Sequence, residues 1–265
     1  MFIVEVTFTK TNQEIPDEGI AHVIYGLLAT WHSNGQIVSD EWRFVGDGES
    51  FTCILTLPEA DSLEAQPDDS LVNKSHEYLH EKGLGEPSVR VIGRDAFAEE
   101  NICDCSQPAF YIVYTHVLSQ GIPPLRCGKC FGYVPVYRVP GSDGILGWKS
   151  DYQAFDGLQL GNEPTNREQR KVEGFALQQM QRLDSALTIA GREICQKIEQ
   201  TTKIPTYYYL HVMYEVDEYP HCPSCGNNWT LNKTPLHLFS YCCDRCRLLS
   251  STSSLWRRPR VKRAK

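Results

Sequence analysis

Residues 222–246 read CPSCGNNWTLNKTPLHLFSYCCDRC, and this stretch decides how the C-terminal part of the chain folds. It holds two Cys-x-x-Cys pairs with 17 residues between them. Two residues between cysteines let both sulfurs face one ion from a tight turn, and Gly226 permits the left-handed backbone that turns amide groups toward sulfur. The spacing predicts a zinc ribbon over residues 219–249 with one structural zinc ion. The predicted ligands are Cys222, Cys225, Cys243 and Cys246.

Two alternatives remain open for this motif. A Cys-x-x-Cys pair can also be a redox centre, although two pairs at this spacing favour a metal. Cys242 could replace its neighbour as a ligand, but Cys243 restores the two-residue spacing to Cys246. Four thiolates leave no position for water, so the predicted site is structural and not catalytic.

A third Cys-x-x-Cys pair, Cys127 and Cys130, precedes this motif and needs two further ligands. Cys103 and Cys105 lie upstream, with 21 residues between Cys105 and Cys127, and they predict a second four-cysteine zinc site. His116 or His221 could complete the set instead, or the pair could be a buried turn without metal. The other two cysteines outside these groups, Cys53 and Cys195, fit strand and helix patterns as small core side chains.

The charge of the chain is unevenly distributed. The net charge is −7, but residues 1–100 hold 19 acidic and 6 basic residues, while residues 247–265 hold seven basic and no acidic ones.

Eleven cysteines without an N-terminal export signal predict a reducing, cytoplasmic location where clustered cysteines bind metal. No run of apolar residues is long enough to span a membrane, so we expect no membrane partner.

Hydrophobic periodicity predicts an α+β fold. Residues 1–95 alternate in the order β-α-β-β-α-β, which predicts an acidic ferredoxin-like domain. Residues 100–250 predict a zinc-bound, β-rich domain with one long helix over 165–201, capped by Thr165 and Glu168. Trp148, Asp151 and Tyr152 are predicted to lie in a glycine-rich loop. Residues 251–265 predict a basic disordered tail.

Several further segments of this half resemble a known family. They are Leu125–Gly132, Pro135–Arg138, Trp148–Tyr152, Gly191–Cys195, Ile204–Tyr209 and the terminal Cys246–Leu249. This combination resembles an uncharacterised bacterial family described as zinc-ribbon-containing and as a candidate group of nucleic-acid-binding proteins. The resemblance covers residues 103–250 and implies zinc binding at the terminal motif.

The sequence predicts a non-enzymatic binding protein. It contains no nucleophile-base set, phosphate-binding glycine loop or zinc-protease motif. One hypothesis is nucleic-acid binding through basic residues at and after the ribbon. The candidate contacts are Arg245, Arg247, Arg257, Arg258, Arg260, Lys262 and Arg263. The alternative is an immunity protein or antitoxin that neutralises a basic toxin through the acidic N-terminal half.

Overall fold

The computed structural model describes residues 1–12, 19–39, 41–65, 70–96, 102–119, 121–160, 167–211, 220–231 and 238–251. The chain divides into two compact units. The first comprises residues 1–104, 118–126 and 132–147, and the second comprises residues 105–117, 127–131 and 148–265. The fold is α+β with two sheets.

The first unit begins with the predicted order of elements. These are β1 (Phe2–Thr9), α1 (Ile20–Ser33), β2 (Phe44–Gly46), β3 (Ser50–Leu57), α2 (Ser70–Glu81) and β4 (Ser88–Arg94). The sheet order is β2-β3-β1-β4, and every neighbouring pair is antiparallel. β1 and β3 are therefore the central strands, and each crossover helix spans one intervening strand.

Alternation along β1 creates the core of this unit. Val4, Val6 and Phe8 are fully buried, and the residues between them point to the opposite face, since side chains of a strand alternate. Ile24 and Leu28 of α1 lie one turn apart and are also fully buried in this cluster. The apolar residues that recur at strand spacing in β1 and at helix spacing in α1 therefore pack together in one core layer.

The β2–β3 connection shows why the predicted hairpin forms. The carboxylate of Asp47 accepts hydrogen bonds from the backbone N–H groups of Glu49 and Ser50 at 3.0 and 2.7 Å. These bonds satisfy backbone N–H groups in the turn, where the hydrogen bonds between β2 and β3 are interrupted. They also lower the pKa of Asp47, first through the bond from Ser50.

Later in the chain lie three-residue strands β5 (Tyr111–Val113) and β6 (Leu125–Cys127), then a one-turn 3-10 helix, Val136–Arg138. They are followed by α3 (Ile145–Leu160), α4 (Arg167–Gln181), α5 (Ala186–Thr202), β7 (Thr206–Tyr209), β8 (Tyr241–Cys243) and β9 (Leu248–Ser250). Within the second unit, β5, β7, β9 and β8 lie side by side in this order. The β5–β7 and β7–β9 pairs are parallel, and β8–β9 is antiparallel. Strand β8, which carries Cys243 of the motif over residues 222–246, thus belongs to the sheet of this unit.

The prediction of one long helix over 165–201 is wrong. Helices α4 and α5 are separate, and residues 182–185 break the backbone ladder between them. Ser185 caps α5 by accepting a hydrogen bond from the Thr188 N–H, and its hydroxyl donates to the carbonyl of Gln179 in α4. One side chain therefore satisfies backbone groups at both helix ends. The predicted cap at Thr165 lies outside the described residues.

The predicted glycine-rich loop at Trp148 is also wrong, because this segment is the helix α3. Trp148 and Tyr152 lie one turn apart on its buried face, with 3% and 2% of their surface exposed. The Trp148 Nε1–H donates to the carbonyl of Leu187 at 3.2 Å. The buried aromatic pair thus joins α3 to α5.

In the part of the chain that the structure describes, no helix combines the length and the hydrophobicity needed to cross a lipid bilayer.

Candidate metal centre

The three Cys-x-x-Cys turns share one backbone feature. In each, the residue after the second cysteine has a positive φ: Phe131 at 62°, Gly226 at 73° and Arg247 at 53°. The N–H groups of Phe131 and Gly226 close their turns by donating to the carbonyls of Cys127 and Cys222, both at 2.8 Å. Only one of the three positions holds glycine, although a side chain there is strained. The same turn is therefore imposed by its surroundings in the other two.

The C-terminal cysteine cluster consists of Cys222, Cys225, Cys243 and Cys246. Its four sulfur atoms all lie within 4.8 Å of one another. The Sγ atoms of Cys225 and Cys243, which belong to different turns, are 3.7 Å apart. A tetrahedral ion with Zn–S bonds of about 2.3 Å needs sulfurs about 3.8 Å apart. The four thiols therefore fit a metal ion such as zinc.

Strand pairing brings the two turns of this cluster together. The Cys242 N–H donates to the carbonyl of Trp229 at 2.7 Å, and the Cys222 N–H donates to the carbonyl of Asn227 at 2.7 Å. The buried Trp229 ring stacks on Tyr241 with the centroids 5.0 Å apart. The segment between the two turns thus returns along β8, so cysteines far apart in sequence become neighbours.

The local environment gives the thiols of this cluster different pKa values. Hydrogen bonding, chiefly from the backbone N–H of Asn227, lowers the pKa of Cys225 to about 7. Burial raises the pKa of Cys243 to about 12, and it also raises the pKa of Cys222. Because a metal binds thiolates, loading this cluster must release the protons that burial keeps on Cys222 and Cys243.

Cys242 does not belong to the cluster. Its sulfur donates toward the Oδ1 of Asp244 at 3.4 Å, and its side chain packs against the apolar group around Tyr209 and Phe239. Successive residues of β8 face opposite sides of the sheet, so Cys243 and not Cys242 points toward the other cysteines.

The central cysteine cluster consists of Cys103, Cys105, Cys127 and Cys130. Its sulfur atoms also lie within 4.8 Å of one another. Cys127, at the end of β6, is fully buried, and its Sγ accepts a hydrogen bond from the Lys129 N–H at 3.4 Å. Among the described residues, neither His116 nor His221 joins this group. The two upstream cysteines are therefore the partners of the third turn, as their spacing predicts.

The remaining cysteines are core side chains. Cys53 in β3 is 2% exposed and Cys195 in α5 is 3% exposed. Burial raises the pKa of Cys53 to about 12 and raises that of Cys195 still further. Both thiols stay protonated and act as small apolar groups.

The predicted nucleic-acid contacts are placed unequally. Arg245 is exposed in the turn between Cys243 and Cys246. Arg247 is held by Glu199 of α5, with nitrogen–oxygen distances of 2.9 to 3.2 Å, and its guanidinium lies 5.4 Å from the centroid of the Tyr207 ring. The other five, Arg257, Arg258, Arg260, Lys262 and Arg263, lie outside the described residues.

The Glu199–Arg247 pair was not predicted from the sequence. Glu199 also accepts a hydrogen bond from the Thr206 N–H at 3.2 Å, and its pKa is lowered, first by the bond from Arg247. The pair links α5, the start of β7 and the second turn of the C-terminal cysteine cluster. Forty-eight residues separate its members, and no local pattern marks such a contact.

Three family models match the chain, and none describes an activity. Residues 1–93 match a domain of unknown function (DUF8589), residues 105–211 match another (DUF2310), and residues 215–256 match a third (DUF8594). The boundary between the last two falls between β7 and β9, which are adjacent strands of one sheet. The two matched regions therefore share a structural unit.

Two uncharacterized proteins of Haemophilus influenzae are relatives. One is 29% identical over 266 residues, covering 96% of this chain and 98% of its own length. The other is 32% identical over 168 residues, covering 60% of this chain and 79% of its own length. At that identity and coverage, the chain belongs to the same protein family as this second Haemophilus influenzae protein.

Proposed function

We propose that this protein is a non-enzymatic, cytoplasmic zinc-binding protein that binds nucleic acid, with one structural zinc ion in each cysteine cluster. The observation that carries the metal part is the 3.7 Å separation between Cys225 Sγ and Cys243 Sγ, the spacing of a tetrahedral thiolate site. Zinc bound there would hold the two turns together and supply folding energy, without an open position for catalysis.

Two finer assignments belong to this proposal. The C-terminal motif is a zinc ribbon, supported by its paired turns and by the β8–β9 hairpin that carries one of them. The N-terminal domain is ferredoxin-like, supported by the β-α-β-β-α-β order and the antiparallel strand order β2-β3-β1-β4. Since ferredoxin-like folds serve many functions, this second assignment carries no activity with it.

The nucleic-acid part is supported by basic residues at the C-terminal end. Arg245 projects from a cysteine turn into solvent, and residues 247–265 include seven basic and no acidic residues. A segment of this charge attracts phosphates, and the binding weakens steeply with salt. The acidic N-terminal region does not contribute to such binding.

Native mass spectrometry of reduced protein tests the metal part, and the expected mass increase corresponds to two zinc ions. Electrophoretic retardation of DNA and RNA at low salt tests the nucleic-acid part. Binding should weaken as salt rises and on deletion of residues 257–265. Absence of retardation at low salt would refute the nucleic-acid part and leave the zinc assignment standing.

Copurification of a basic protein in place of nucleic acid would support the alternative of an immunity protein or antitoxin. The net charge of −13 over residues 1–100 favours such a partner, because it would attract a cationic surface.

A further inference from the structure

A pocket of about 340 Å³ opens beside the C-terminal cysteine cluster, entirely within the second unit. Pockets for small ligands run from about 300 to 1,000 Å³, so this one suits a small group. It is walled by α5, the first residue of β7 and both turns of the cluster. Its polar and charged lining includes Arg192, Gln196, Glu199, Ser224, Arg245 and Arg247.

Three residues of α5 form one wall of the pocket. Arg192, Gln196 and Glu199 follow one another at spacings of four and three residues, which places them on one face of α5. The opposite wall is the pair of cysteine turns, which contribute Ser224 and Arg245. Charged groups and neutral hydrogen-bond donors therefore converge on the same space.

The arginines of this lining outnumber the carboxylates that the described residues place there. Among the described residues of the lining, Glu199 is the one acidic residue, and its carboxylate accepts hydrogen bonds from Arg247 and from the Thr206 N–H. Arg192 and Arg245 form no ion pair with any residue of the described chain. Within the described part of the chain, Arg192 and Arg245 thus have no carboxylate partner.

We propose that this pocket binds a phosphate group, either the backbone phosphate of a nucleic acid or the terminal phosphate of a nucleotide. The proposal rests on the proposed function and extends it to a named site. The planar guanidinium of Arg192 donates two parallel hydrogen bonds to phosphate oxygens, and Arg245 closes the site from the cysteine turn. Gln196 and Ser224 supply neutral donors at the rim.

The same arginines have a rival role. Four thiolates around a divalent ion keep two negative charges, which Arg192 and Arg245 could offset. In that case Arg192→Gln weakens metal binding and leaves phosphate binding unchanged. If Arg192 instead holds phosphate, the variant keeps its metal and loses phosphate binding.

The test compares wild type with Arg192→Gln and with the control Lys197→Gln. Lys197 is exposed on α5, outside the pocket, and its replacement removes the same charge. Three probes are titrated into protein with intact metal content: fluorescein-labelled oligothymidine, adenosine monophosphate and inorganic phosphate. Absorption of the cobalt-substituted protein monitors the cysteine clusters in each variant.

We expect Arg192→Gln to bind oligothymidine about tenfold more weakly at low salt, with the cobalt spectrum unchanged. Its logarithmic salt slope should fall by about 0.7, the contribution of one phosphate contact on a single strand. Lys197→Gln should stay within about twofold of wild type. Equal binding by the two variants, or a loss of metal in Arg192→Gln without loss of oligothymidine binding, would overturn the proposal.

The probes separate this inference from the proposed function. Binding of adenosine monophosphate and phosphate alone, lost in Arg192→Gln, supports the pocket and refutes nucleic-acid binding. Oligothymidine binding that depends only on residues 257–265 keeps the proposed function and refutes the pocket. If wild type binds none of the probes, both fail.

Discussion

Replacing Gly191 by alanine should destabilise the protein, although alanine is the better helix former. Gly191 lies inside α5 against β7, and a Cβ atom there would be 2.2 Å from Cε2 of Tyr208 and 2.6 Å from Nε1 of Trp148. Both rings are buried, with 0% and 3% of their surface exposed. Neither can move without disturbing the packing between α3, α5 and β7.

The expected magnitude follows from three terms. Overpacking of a filled core costs about 1–3 kcal/mol, and the two simultaneous contacts at Gly191 place it near the upper end. Loss of the hydrogen bond from Trp148 to the Leu187 carbonyl adds about 1 kcal/mol. The gain in helix propensity offsets about 1 kcal/mol. The net loss is about 2–3 kcal/mol, equivalent to a Tm lower by roughly 4–12 °C in a chain of this size.

Gly174→Ala is the matched control. Gly174 lies inside α4, and a Cβ atom added there meets no atom within 4 Å. Only the propensity term remains, so this variant should gain up to about 1 kcal/mol and unfold roughly 2–4 °C higher. Scanning calorimetry on both variants checks the prediction. If Gly191→Ala is as stable as Gly174→Ala, the close packing of α5 on β7 is wrong.

Three further predictions concern the metal clusters and the ion pair beside them. Cys243→Ser should reduce the zinc content by about one ion per chain, while Cys242→Ser should retain both; equal zinc contents in elemental analysis would contradict the assignment of Cys243. A strong chelator should remove zinc and lower the Tm, because the proposed zinc ions would hold the cysteine turns together; an unchanged Tm after complete removal would count against a structural role. Glu199→Gln should cost about 0.5–1 kcal/mol at pH 7, a small value because its bond to Arg247 is about one-third exposed. The pKa of Glu199 is lowered in the folded state, so its contribution is complete above the unfolded pKa and lost as pH falls through the folded one. The difference in Tm between wild type and Glu199→Gln should therefore shrink at acidic pH, and a difference that grows there would refute the pairing.

The cysteine clusters were largely predictable because their information is local. Two residues between cysteines define a turn whatever the rest of the chain does, and the two-residue spacing to Cys246 selected Cys243 over Cys242. Strand alternation provides the independent reason for that choice, since Cys242 faces the other side of β8. The grouping of Cys103 and Cys105 with the third turn also followed from their position upstream of it.

The helices of the second unit were predicted less well. Apolar residues recur at helical spacing through both α4 and α5, so periodicity alone predicts a single helix. The hydrogen bonds of Ser185 instead end α4 and begin α5. Trp148 and Tyr152 belong to a helix whose glycines and polar residues suggested a loop. Burial of their rings stabilises a helix that the composition does not indicate.

The sequence by itself determined the α+β class, the order of elements over residues 1–95 and the membership of both cysteine clusters, because these depend on periods and spacings within short segments. Only the tertiary structure placed β9 beside β7, packed Gly191 against Tyr208 and joined Glu199 to Arg247. Each of these contacts links residues separated by 17 to 48 positions. They stabilise the fold through close packing or charge pairing between groups that come into contact only after the chain has folded. The pocket with Arg192 and Arg245 has the same origin, since its walls come from a helix and from turns distant in sequence.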